Sequence, residues 1–448
     1  MRRLKREVGL FDAVMINLGA IIGAGIFVVI GIASGYAGPA VTMAIVISAI
    51  ISILTGLSFS RIARNVAKEG GVYEYAKEAL SRYAGFSGGL MWIFGNIIAL
   101  AAVALSLAGY LNALLGSSIN VQFAAVGAIL AFMVVNILGV KHSAKTVAAL
   151  VVINVIVLVS FSIGGFTHFN PAYFSHFLEK GYYGVFEGAA LIFFAFTGFS
   201  RVTSIGDEVV DPERTIPKAI IISICIATVL YLLVSVSAVG LIGPSGLASS
   251  SSPLSAAVSV LDNKWVDLLV AFGGVTATAG VTLTGILGTS RVFFAMGRDG
   301  ELPKELKHLD RFATPINAIL LSSAISIAFV LFLPFGTIVE VADAAVLISY
   351  AIINIAALKA TLYGMGRFRK AEKNVWRSAG ISAAGLLSII FIVSYLDPYN
   401  LFLTLLIMAL VTVYYAFRKR NMARKGMRVF MPPQRSEVRI FGQIRKRI

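Results

Sequence analysis

The chain has 448 residues, of which 58% are hydrophobic and 13% charged, and its mean hydropathy is +0.87. Soluble domains carry roughly 25% charged residues, so a single water-soluble core is excluded and the bilayer must solvate most of the chain. The net charge of +16 is placed along the chain in a way that points to a membrane face rather than to nucleic acid.

The basic start (Arg2, Arg3, Lys5, Arg6) leads into an apolar stretch too long for a signal core, with no small-residue cleavage site. A membrane span needs roughly 17 to 25 apolar residues. That criterion predicts spans at residues 11–34, 39–60, 84–111, 120–138, 144–165, 185–205, 219–242, 265–296, 315–333, 337–358, 378–395 and 401–417. The expected fold is therefore an all-α polytopic membrane protein of about twelve transmembrane helices. Between the second and third spans, Gly70-Gly71-Val72-Tyr73-Glu74-Tyr75-Ala76-Lys77-Glu78 is amphipathic and reads as a short cytoplasmic interfacial helix. The Ser/Gly-rich residues 243–252 read as an extracellular loop, and the single cysteine, Cys225, as a small buried hydrophobe. Residues 1–417 are expected to form one transmembrane domain. Residues 418–448, with eleven cations and one acid (Glu437), are expected to be a basic cytoplasmic tail at an anionic leaflet.

Against these spans, 35 of the 38 Lys and Arg residues fall on one side, two (Lys180 and Lys264) on the other, and one (Arg201) within a span. This positive-inside pattern predicts a multi-pass protein of the cell membrane with both termini cytoplasmic.

Two spans carry interruptions. The first has Gly19-Ala20-Ile21-Ile22-Gly23-Ala24-Gly25-Ile26-Phe27 at its centre, a run that also suits close helix packing through Gly19 and Gly23. The sixth has Phe193-Phe194-Ala195-Phe196-Thr197-Gly198-Phe199-Ser200-Arg201. By charge the two spans run in opposite directions, at corresponding places in two five-helix halves. That is the signature of inverted repeats with paired broken helices and a midplane site. An unwound turn in lipid leaves amides and carbonyls to be satisfied. Half-helix N-termini suit a carboxylate and freed carbonyls suit an ammonium. An α-amino acid offers both.

At these residues the sequence resembles the amino acid–polyamine–organocation superfamily of permeases. Ile22-Gly23-Ala24-Gly25-Ile26-Phe27 is similar to its first-helix signature, and Phe194-Ala195-Phe196-Thr197-Gly198-Phe199 to its sixth-helix break. Asp207-Glu208-Val209-Val210-Asp211-Pro212-Glu213-Arg214-Thr215-Ile216-Pro217, Gly70-Gly71-Val72-Tyr73-Glu74-Tyr75 and Arg298-Asp299-Gly300-Glu301-Leu302-Pro303 also fit, in order along almost the whole chain. The resemblance implies a five-plus-five inverted repeat (roughly residues 11–166 and 185–360), two extra helices within 378–417, and alternating access. It implies a substrate carboxylate near the Ala24, Gly25 and Ile26 amides. The ammonium would lie near carbonyls of Ile21, Phe194, Ala195 and Thr197, beside Gly198, with Phe194 as a gate over the substrate.

The chain departs from the family at two places. Where one proton-coupled branch keeps a lysine in the fifth helix, this chain has Asn154, and an amide is no titrating cation. The matching eighth-helix place falls on Ala279-Gly280, with Thr278, Thr282 and Thr284 as neighbouring hydroxyls. Exchange or uniport gains weight, and proton coupling stays open. The second departure is Arg201, which reads either as a counter-charge in the inner pathway or as an arginine snorkelling to Asp207 or Glu208. Asp343, in the outer part of the tenth span, reads as a proton carrier or as a hydrated vestibule carboxylate. His142, His168, His176 and His308 are scattered without metal-ligand spacing, and no phosphate-cradling GxxxxGK[ST] occurs. Neither an enzyme, a metal site nor a cofactor is indicated, and no filter-like repeat suggests a channel. The expectation is a secondary amino acid transporter acting on a small-molecule substrate. A polyamine or organocation carrier and a non-transporting amino-acid sensor remain as alternatives.

Overall fold

The structure, a computed structural model, describes residues 6–66, 68–116, 119–250, 252–332, 335–363 and 375–424. Residues 425–448 of the expected tail lie outside the described residues. The first span is split into α1 (Leu10–Ile21) and α2 (Ile30–Ala37), and α3 (Val41–Ala63) is the second. The short α4 (Val72–Ala79) precedes α5 (Arg82–Leu115), α6 (Val121–Ile137) and α7 (Val140–Thr167). The sixth span starts as α8 (Gly181–Phe196), and α9 (Pro212–Ala248) is the seventh. After the short α10 (Pro253–Ser259) come α11 (Lys264–Arg298), α12 (Ile316–Phe332), α13 (Phe335–Tyr363), α14 (Val375–Val393) and α15 (Pro398–Arg424). Nine helical stretches among the described residues are long and apolar enough to cross a membrane. The first of them, Leu10–Ala63, carries two spans, and the shorter apolar α6 and α12 bring the total to the expected twelve.

Local chemistry sets the helix starts. Ser81 Oγ accepts the Ala84 amide at 3.1 Å ahead of α5, Asn120 Oδ1 accepts the Gln122 amide at 2.9 Å ahead of α6, and Asn263 Oδ1 accepts the Trp265 amide at 3.0 Å ahead of α11. Each satisfies an orphan donor of a helix N-terminus. Residues 243–248 do not open into the expected loop. Gly243 (φ 72°) bends α9 ahead of Pro244, and the helix runs on to Ala248.

Residues Met1–Thr404 form one compact unit and Leu405–Ile448 a second, smaller one. Within the first unit α5 packs along α11 and α13, and α9 packs along α1, α3 and α7. Large apolar side chains such as Phe123, Ile163 and Leu387 are exposed on the span surfaces, as a lipid solvent requires. Cys225 is exposed on α9 among them and is not the buried hydrophobe anticipated.

Candidate substrate site at two interrupted spans

The first interruption follows from the glycine content of the first span. Helix α1 ends at Ile21, and Ile22 leaves the helical region (φ −76°, ψ 98°). The chain resumes as a π turn, Gly25–Val29, before α2. Phe27 N donates to Gly23 O at 3.3 Å. The amides of Ala24, Gly25 and Ile26 precede that bond and are the donors that a helix N-terminus leaves unpaired. All three residues are buried.

The second interruption differs from the expected unwound turn. Helix α8 passes directly into 3-10 winding over Thr197–Glu208, which is two stretches joined across a kink at Ile205. The tighter winding runs through the small and polar residues of the expected break, so the sixth span is rewound there rather than opened.

The two interruptions meet. A Cβ on Gly25 would lie 2.3 Å from Ala195 Cβ, and one on Gly198 would lie 2.3 Å from the Ala20 carbonyl carbon. Only glycine permits these approaches. Tyr231 of α9 bridges both spans, its hydroxyl 2.6 Å from Ile21 O and 3.2 Å from Ala195 O. Tyr350 of α13 donates to Thr197 O, Thr197 Oγ1 donates to Phe194 O at 2.8 Å, and Tyr110 of α5 donates to Phe27 O at 2.9 Å. Three hydroxyls, those of Tyr231, Tyr350 and Thr197, thus lie against the four carbonyls named from the sequence, with the single Tyr231 proton shared between Ile21 O and Ala195 O. The sequence reading missed Tyr110, Tyr231 and Tyr350. Their signal was chemical: a phenol buried in an apolar span needs a partner.

Phe194 is half-buried and lines a cleft of about 10 Å³ with Ala24, Val28, Ala102, Val103 and Ser106. That volume holds about one water, so the two interruptions are closed on each other in this conformation.

The other residues singled out fall elsewhere. Asn154 is buried on α7 and its Oδ1 accepts from Thr276 Oγ1 of α11 at 2.6 Å. Thr278, Thr282 and Thr284 instead donate to carbonyls of their own helix. Asp343 is 2% exposed, and neither carboxyl oxygen has a partner among the described residues. Arg201 is 5% exposed and bonds Asn96 Oδ1 at 2.7 Å. It does not snorkel to Asp207 or Glu208. Glu208 is taken by Arg291, 2.8 Å away and fully buried within α11. The tally by side counts Arg291 with the cations of one face, although it lies near the end of the expected span 265–296.

A cluster of ion pairs closes the end of the bundle that carries α4. Arg298 lies 2.6 Å from Glu69 and 3.2 Å from Asp299. Lys77 reaches Glu74 at 2.6 Å and also pairs with Asp299, which accepts from Tyr73 at 2.8 Å. Two motifs far apart in sequence, at Gly70–Lys77 and Arg298–Glu301, thereby meet. Burial pushes the Glu69 carboxyl well above its usual range, against the pull of Arg298. Burial also pushes Asp299 up, but hydrogen bonding and charge from Lys77, with Arg298, more than offset it and hold Asp299 low. The Glu69 contribution to this closed arrangement is complete below about 4.5 and is lost as pH rises through the raised value. Asp299 acts in the opposite sense, but its window lies below its ordinary 3.8. Glu69→Gln should therefore flatten the dependence of the thermal midpoint on pH above about 4.5; an unchanged slope would contradict this assignment.

The profile of the amino acid permease family matches residues 12–427. The chain belongs to that family. An uncharacterized transporter of Mycobacterium tuberculosis is 32% identical over 358 residues, 79% of this permease and 80% of the relative. The branched-chain amino acid permease BcaP of Bacillus subtilis is 29% identical over 377 residues, 80% and 81% of the two chains. Cationic amino acid transporter 1 of Arabidopsis thaliana is 27% identical over 388 residues, 83% of this permease and 65% of the relative. The permease is thus a multi-pass membrane transporter by family and by fold, not an enzyme.

Proposed function

We propose that this permease carries amino acids across the membrane by alternating access, holding the substrate at the backbone of its two interrupted spans. The observation that carries the reading is the convergence of unpaired amides at Ala24–Ile26 with the carbonyls of Ile21, Phe194, Ala195 and Thr197. A carboxylate fits the amides at the positive end of a half-helix. An ammonium has three donors and no acceptor, and each carbonyl keeps a second lone pair beside its tyrosine or threonine partner. Phe194 is the gate between this place and the cleft. The names of the relatives, a branched-chain amino acid permease and a cationic amino acid transporter, support amino acids as the substrate class.

On this reading residues 1–417 are the transport domain, with inverted repeats at 11–166 and 185–360 and two added helices. The positive-inside distribution makes the α4 end cytoplasmic, with both termini there, and the ion pairs around Arg298 close that side. Asn154 supplies no titrating charge, so no proton is carried at that place.

The test is counterflow in proteoliposomes across the twenty amino acids and common diamines. Saturable counterflow of at least one amino acid is expected. Ligand binding without flux would point to a sensor, and non-saturable flux to a channel; either would overturn the proposal.

A further inference from the structure

Arg201 is a buried cation without an anion. Its Nη2 donates to Asn96, but Nε and Nη1 meet no acceptor. Among the described residues no carboxylate lies within ion-pair distance of it, whereas the deeper Arg291 is paired with Glu208. The side chain is nevertheless built into place. Its stem crosses Gly288 of α11, where a Cβ would lie 2.5 Å from Arg201 Cδ, and its guanidinium lies 5.1 Å from the Trp92 ring. Packing has fixed the fork of donors and removed its water, which is costly for an arginine that nothing neutralises.

Its place in the chain gives the site a direction. The 3-10 segment that holds Arg201 starts at the interruption, where Thr197 O accepts from Tyr350. Ser200 joins this group, 2.7 Å from Tyr350 Oη and 3.3 Å from Trp92 Nε1. The same segment ends in the ion-pair cluster, where Ser204 O accepts the Gly70 amide at 3.1 Å. Arg201 therefore lies between the interruptions and the α4 end. Its partner Asn96 precedes the cleft residue Ala102 by six positions on α5, roughly 9 Å along a helix.

We infer that Arg201 is a second, transit site for the substrate carboxylate, occupied after the carboxylate leaves the Ala24–Ile26 amides toward the α4 end, or before it arrives from there. The planar guanidinium suits a carboxylate because two parallel N–H groups can engage its two oxygens. This inference rests on the transport reading above. A transit site governs the rate of passage and leaves equilibrium binding at the interrupted spans nearly untouched.

The experiment compares wild type, Arg201→Gln and Arg201→Lys in proteoliposomes, with leucine, lysine and glutamate as carboxylate probes and cadaverine as an amine without a carboxylate. Ligand-induced thermal shifts report affinity for the same probes. For each amino acid the wild type carries, Arg201→Gln should lower counterflow about 10-fold, the scale of one charge-assisted hydrogen bond. Its affinity should change less than threefold, and any cadaverine flux should stay at the wild-type level. Arg201→Lys should fall between the two, keeping charge without the fork. Wild-type flux in Arg201→Gln, or affinity and flux falling together, would overturn the inference. Should Arg201→Gln not fold, Arg201→Lys decides: reduced flux at unchanged affinity supports the transit site, and wild-type flux overturns it. A wild type that carries none of these probes is assayed instead with whichever amino acid the counterflow screen above identifies; no counterflow of any amino acid defeats the transport reading itself, and the transit site with it.

Discussion

Gly25→Ala should abolish counterflow and lower the thermal midpoint. The added methyl would lie 2.3 Å from Ala195 Cβ and 2.5 Å from Ala195 Cα. No rotamer relieves a clash with backbone, so the two interrupted spans must separate. Overpacking of this kind costs about 1–3 kcal/mol, and the separation moves the amides of the first span away from the carbonyls of the sixth. A gentler companion is Tyr231→Phe. It keeps the ring and removes the one hydroxyl that touches both Ile21 O and Ala195 O, at about 1 kcal/mol. The phenylalanine variant should fold and bind with altered affinity, while the alanine variant should not transport. Gly25→Ala with wild-type counterflow would show that close contact between the spans is not needed for passage.

Arg291→Leu should produce the largest loss of stability among single changes at ion pairs. Arg291 and Glu208 are fully buried 2.8 Å apart, and their contact fastens α11 to the end of the 3-10 segment. Removing one partner leaves a buried, uncompensated carboxylate, worth about 3–5 kcal/mol. Replacing both, as Arg291→Leu with Glu208→Gln, removes that penalty and should recover most of the midpoint. Detergent-solubilised protein followed by thermal unfolding reads both variants. A single variant as stable as wild type, or a double variant no better than the single, would contradict this account of the pair.

Much of this architecture was legible because the bilayer imposes length and composition on each span. Runs such as 39–60 and 144–165 announce themselves by hydropathy alone, and the glycines at 25 and 198 mark where two backbones touch, while those at 19 and 23 face valine side chains of α7 and α11. Partners were not legible. Nothing local to Tyr231 or Tyr350 says that their hydroxyls reach carbonyls of other helices, because those contacts join residues as far apart as 210 positions. Arg291 was misplaced for a related reason: near the end of an apolar run, only its burial distinguishes a buried partner of Glu208 from a cytoplasmic cation. The sixth span was read as broken because small and polar residues permit opening. In the structure they permit tighter winding, and sequence composition does not separate the two.

The central claim is that backbone at the interruptions holds both ends of an amino acid. It is tested most directly by measuring binding of a transported amino acid beside its carboxamide and its deaminated acid, each to purified wild-type protein. Both analogues should bind at least about 10-fold more weakly, since each loses a charge-assisted set of hydrogen bonds. Equal binding of either analogue would contradict the claim that the interrupted spans grip that end of the substrate.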